Sequence, residues 1–487
     1  MKVPPEILAV ERPKNTVVFP YGKNKDRYGV RARKGCIYDK GRRKPINGEV
    51  IGHIVNGAFV PKEQPGPAQI APVSHAPVDL KDWGTVILCD RVCSSLLAEL
   101  ESTYAREDAV KIYCCAILRV CVPGITDSRL KDGYEECWLS ELYPGVSLSK
   151  NAVSDFWHSL GRAYSRINKF MLLRVDTVEH GDHLLVDGTL KSNESRVNSL
   201  SDFSRKARTK GTKDISLLYA FDLEKQEPIC CKCFSGGTVD SVAYDAFISE
   251  NKITKGIIVG DKGFPSSAAA EQFAANKDLH YLNPLKRNSK FIKDYNLHEY
   301  EGQLETDSCI LYKRVHDERT QKWLYAFRDT RQAHKEDYSW LDNALKKGTF
   351  SSETYLEDGQ RFGTILLESD HEMTPELAFK TYSSRWEIEV VMRYYKQTCE
   401  FDETRVHNDY SVIGSEFCNF LAVIMTYRLI KTFDAASLFK DHTYKRIMQI
   451  LRRAKRVHLE TEWVPTKLTP SEFEVLKSLG LAEGKSV

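Results

Sequence analysis

Between residues 183 and 285 the chain repeats one texture: a short apolar run of strand length, then a break. The runs are HLLVDG, DISLLYAFD, EPICCKCFS, KGIIVGD and LHYLNPL, with a helical stretch from Ser241 to Glu250 before the fourth. Three successive strands, a helix and further strands predict an α/β fold in which a mixed sheet is flanked by helices.

The flanking texture differs. Residues 1–60 are basic and read as short strands and turns, with a hairpin around Asn56-Gly57. Prolines mark a stiff linker over 61–80. Residues 81–178 read as mainly helical. Candidate helices run from Leu96 to Tyr104, from Ala109 to Val120 and from about Ser149, the last after a Pro-Gly turn compatible with a DNA-reading helical hairpin. Residues 286–372 are polar and alternate like a β-rich insertion. Thr374-Pro375 then starts a helix, within a segment 373–432 that resumes the core. Residues 433–487 form a basic helical region.

Formal net charge is only +3, but its distribution is uneven. Between Arg12 and Lys44 there are twelve Lys or Arg against two Asp. Further basic runs lie at Arg205–Lys213 and Lys445–Arg456. One such run reads as solvated surface; three together point to nucleic acid. The N-terminus lacks a secretory pattern, and the most apolar window, Phe417–Ile430, is interrupted by Asn419 and Arg428. A cytoplasmic or nuclear protein is expected, with no membrane partner. The 13 cysteines include no answering CxxC pairs and are expected as reduced, mostly buried thiols.

The segment Tyr382–Lys396, YSSRWEIEVVMRYYK, is the most informative. On one helix, Tyr382, Arg385, Glu389 and Lys396 share an arc of about 60°, bordered by Arg393. Most other positions are apolar, so the helix is expected to be buried, its polar stripe either an ion-pair ladder or an active-site wall. Asp187 and Asp261 each end a strand-like run, and each would sit at a sheet edge where loops begin. Two such Asp and one inward Glu make a three-carboxylate set. Such a set suits two Mg²⁺ ions, with Mn²⁺ as substitute, and phosphodiester chemistry.

With these residues in view, the chain resembles bacterial insertion-sequence DDE transposases of the IS-four superfamily. Tyr382, Arg385, Glu389 and Lys396 reproduce that family's Y-R-E-K spacing, and Asp187-Gly-Thr and Asp261-Lys-Gly-Phe precede it. Lys262 stands where Arg is frequent. The resemblance implies a ribonuclease-H-like core in two parts, 179–285 and 373–432. The β-rich insertion 286–372 divides them, since 127 residues lie between Asp261 and Glu389 against 73 between Asp187 and Asp261.

The resemblance also implies roles. Asp187, Asp261 and Glu389 would be catalytic metal ligands. Tyr382, Arg385, Lys396, Lys262 and Arg393 would contact DNA. Trp323 or Trp340 would stack on a flipped base, the alternative being plain core aromatics. Expected partners are double-stranded DNA, as element ends and target, and a second copy in the DNA complex. The expected place is the bacterial nucleoid. A metal-dependent nuclease on the same core and a catalytically inactive DNA-binding regulator are the rival readings.

Overall fold

The structure is a computed structural model. It describes residues 3–22, 27–39, 41–62, 79–193, 195, 197–204, 213–261, 265–386, 403–404 and 406–482. The chain divides into two compact units, Met1–Pro77 and Val78–Val487.

The first unit is a four-stranded antiparallel sheet: β1 (Thr16–Tyr21), β2 (Arg27–Asp39), β3 (Arg42–Val55) and β4 (Ala58–Pro61). Asn56 and Gly57, both with positive φ, make the two-residue turn between β3 and β4. The strands β2 and β3 run to 13 and 14 residues, longer than the short strands expected. Three register shifts along β2–β3 break the alternation that would announce a long strand in the sequence. A small core of Val18, Val30 and Ile54 lies under one end of this sheet only.

The second unit begins with β5 (Leu80–Asp82) and a helical region. Its main helices are Gly84–Glu101, Arg106–Cys121, Lys150–Arg162 and Tyr164–Val175. Ser149 caps the third of these by accepting from the Ala152 N–H. A ten-stranded sheet follows. Its first strands are β6 (His183–Asn193), β7 (Lys213–Asp222), β8 (Glu227–Ser235), β9 (Lys255–Val259) and β10 (Asp278–Pro284). Then come β11 (Gly302–Gln303), β12 (Ile310–Asp317), β13 (Lys322–Asp329), β14 (Thr364–Ser369) and β15 (Glu403–Thr404). β8, β7 and β6 are mutually antiparallel, whereas β9 and β10 run parallel to β6. The strands of 286–372 extend this same sheet, β14 pairing antiparallel with β10. That stretch also carries the helices Thr330–Lys347 and Ser352–Gly359.

The longest described helix, Asp409–Ala435, packs on β8 and on three of the N-terminal helices. Two glycines allow the closest of these contacts. A Cβ on Gly161 would fall 1.7 Å from the Tyr410 carbonyl oxygen, and one on Gly414 would fall 2.3 Å from that of Trp157. By length and composition this helix qualifies as a membrane span, contrary to the expectation that no stretch would. Its apolar window is 83% buried inside the protein, as a core helix is, because Asn419 and its polar neighbours find partners there. Arg119, itself buried, donates to the Asn419 Oδ1 at 2.6 Å and to the Ser415 carbonyl at 2.8 Å. A second, half-buried network ties the helical region to β8: Arg174 and Arg428 both bind Glu227 and Glu99. The chain closes through β16 (Lys455–Leu459) and β17 (Glu462–Pro465), with β16 pairing back to β5.

All twelve described cysteines are free thiols, nine of them buried.

Candidate active site

Leu185 of β6 pairs with Val259, the last residue of β9. Two residues beyond that pair stand Asp187 on one strand and Asp261 on the other. Both therefore follow the last paired residues of two neighbouring parallel strands, at the same end of the sheet. Asp261 is where the sequence reading put it, just past its strand. Asp187 is not at a strand end: β6 continues six residues beyond it, held by β7, with Asp187 opposite Tyr219. The reason lies in the polar continuation LKSN, whose Lys191 is buried against Glu416 of the helix Asp409–Ala435, 2.5 Å away.

β6 therefore outlasts β9. Beyond Leu185 its β9-facing edge pairs, among the described residues, only with β15, at Ser192 and Asn193. Asp187 lies within this open edge. Its Oδ1 accepts from the Gly188 N–H at 2.8 Å.

Arg385 faces Asp261, with Nη1 3.6 Å from Oδ1. The guanidinium also lies over the Tyr382 ring, 5.8 Å from its centroid. Burial raises the Tyr382 pKa; Arg385 opposes this and the Asp261 charge adds to it, so the net shift is upward. The phenol therefore stays protonated at neutral pH and is available as a donor.

The helix expected to run unbroken from Tyr382 is interrupted. Tyr382 belongs to the helix Pro375–Ser383, capped by Thr374, and a turn at Ser384 precedes the helical Arg385 and Trp386. The Ser384 hydroxyl donates to the Lys380 carbonyl at 3.0 Å, a back-bond of the kind that bends helices. Tyr382 and Arg385 thus approach Asp261 from either side of a turn. Lys262, Glu389, Arg393 and Lys396 lie outside the described residues. Among those described, no group of three or more His, Cys, Asp or Glu forms a metal cage.

Arg287, which the sequence reading passed over, also belongs near this site. It follows β10, and its charge acts on the Tyr382 phenol. Glu336 holds its guanidinium through two hydrogen bonds, of 2.8 and 3.1 Å. The cue was present in the basic stretch LKRNSK directly after a core strand. Trp340 lines a cavity with Arg287, Lys335 and Arg361, and its Nε1 donates to Asp358 at 3.0 Å. Trp323 sits on β13 in the main sheet, half-buried, with Arg314 5.0 Å above its ring and His316 4.8 Å away.

Residues 179–412 match the family model of the transposase DDE domain. The match covers just under half of the chain. It starts four residues before β6 and ends inside the helix Asp409–Ala435, so the DDE-domain stretch contains Asp187, Asp261, Tyr382 and Arg385 together. No curated protein matches the chain. Among solved structures, a piggyBac transposase synaptic complex with hairpin DNA, determined by cryo-EM, is similar at 13% identity and a TM-score of 0.39. The likeness covers 76% of this chain and 80% of that one.

Proposed function

We propose that this chain is a DDE transposase that cuts the ends of a mobile DNA element and joins them to target DNA. The observation that carries the reading is Asp187 on β6 and Asp261 two residues past the end of its parallel neighbour β9, with Arg385 facing Asp261, inside the stretch matching the DDE domain. The strand order β8-β7-β6-β9-β10, three antiparallel strands then two parallel, supports a ribonuclease-H-like core.

The donor chemistry fits a hard divalent cation. Asp187 and Asp261 offer carboxylate oxygens only, both partly open to solvent, with Glu389 as the proposed third ligand. When bound, two Mg²⁺ ions would activate the attacking hydroxyl and neutralise the leaving oxygen. The chain's own residues do the rest. Arg385 sets a planar positive charge beside Asp261 where a phosphate would bind, while Tyr382 donates from its neutral phenol. Lys396, Lys262 and Arg393 add positive charge around the same phosphates. Water cleaves the phosphodiester at the element end. The freed 3′-hydroxyl then displaces a second 3′-oxygen, on the opposite strand to give a hairpin or on the target.

The experiment is cleavage of a labelled duplex carrying the DNA that flanks this gene, with Mg²⁺ or Mn²⁺, comparing wild type with Glu389→Gln. Cutting at the end, joining to a plasmid, and loss of both in the variant support the reading. Cutting without joining leaves a nuclease, and binding without cutting leaves a regulator. Undiminished activity in Glu389→Gln overturns the site.

A further inference from the structure

Past Ala32 and Gly52, where β1 and β4 stop pairing, β2 and β3 continue as a two-stranded ribbon. From Ala32 to Asp39 it is about 24 Å long. The unit's core does not reach this part. Every residue over 42–47, and all of 33–38 except Cys36, is exposed. Tyr38 and Ile37, next to the tip, are 75% and 53% exposed.

A ribbon without a core beneath it is marginal in water unless something else covers it. Charge identifies what does. Arg33, Lys34, Arg42, Arg43 and Lys44 stand on it, and the only acidic residue from Arg27 to Gly48 is Asp39. Lysines can protect a sheet edge against aggregation, but three of these five cations are arginines, the residue best shaped to grip phosphate. A run of single-sign positive charge complements a phosphate backbone. The three register shifts between Val30 and Gly35 add twist to the ribbon. The major groove of B-form DNA admits a two-stranded ribbon, whereas that of duplex RNA is too narrow.

We propose that the β2–β3 ribbon enters the major groove of duplex DNA, with the five cations on flanking phosphates and Tyr38 against base edges. This rests on the DNA-acting reading above and adds a second, non-catalytic contact to it.

The test uses the full chain and the labelled flanking duplex, with binding followed against salt. Changing Arg33, Lys34, Arg42, Arg43 and Lys44 together to Gln should make the slope of log K against log salt shallower by about three to five. It should also abolish protection of guanine N7 from dimethyl sulfate over the contacted base pairs. Arg43→Gln alone should shift the slope by about one, so a folding defect in the fivefold variant leaves the question answerable. Replacing Arg33, Arg42 and Arg43 by Lys should preserve the slope. An unchanged slope in the Gln variants, with wild-type binding intact, overturns the ribbon proposal and leaves the transposase reading standing. Duplex RNA competing as well as DNA overturns the major-groove placement. If the wild type binds no duplex at all, both readings fall together.

Discussion

The Arg385 guanidinium stands 3.6 Å from the Asp261 carboxylate and lies over the ring of Tyr382. A cation between a candidate metal ligand and a protonated phenol is placed to meet a phosphate. Arg385→Ala should make end binding less salt-dependent, by about one unit of slope. Arg385→Lys should restore the slope without restoring cleavage, because a lysine lacks the planar fork. Salt titrations of both variants check this; an unchanged slope in Arg385→Ala would make the pair purely structural.

Metal ligation by Asp187 can be tested by changing the hardness of its donor atom. Asp187→Cys should lose at least about 100-fold in Mg²⁺-supported cleavage and recover part of it in Mn²⁺, since thiolate suits the softer ion better. Cleavage rates in the two metals decide it. Equal defects in both would leave Asp187 without a ligand role.

The crossing of Lys150–Arg162 and Asp409–Ala435 depends on absent side chains. Gly161→Ala would press a methyl group onto the Tyr410 carbonyl, so the helices must part. Overpacking of this kind costs about 1–3 kcal/mol. A urea midpoint that did not fall in Gly161→Ala would show that the helices can shift without loss.

Acid should find Glu227. Burial raises its pKa, but the hydrogen bond from Arg428 and the charge of Arg174 outweigh burial, and the net value lies below 4.5. The folded state thus holds fewer protons here than the unfolded one. This stabilisation is present above about pH 4.5 and is lost as pH falls through the lowered pKa. Glu227→Gln should flatten the acid limb of the stability profile and lower stability at neutral pH, where Arg174 and Arg428 lose their carboxylate. Denaturation midpoints from pH 3 to 7 measure both.

How much of this could be read in the sequence depends on the range of the forces concerned. The core strands were visible because each is an apolar run bounded by breaks. The Thr374 cap was visible because capping is local. The length of β6 was hidden, since its polar half is held by Glu416, more than 200 residues away. The turn at Ser384 was hidden because the residues around it keep a helical pattern in the sequence. That β11–β14 extend the core sheet could not be read either, since alternation marks a strand but not the edge it joins.

The helix Asp409–Ala435 also has a temporal meaning. During synthesis it emerges after β6, β7 and β8, so the sheet face it covers stays bare until about residue 435 has been made. A product stopped before Asp409 would leave β8 and three N-terminal helices without their shared partner. A product that ends within the larger unit before about residue 435 therefore lacks the helix that covers its sheet.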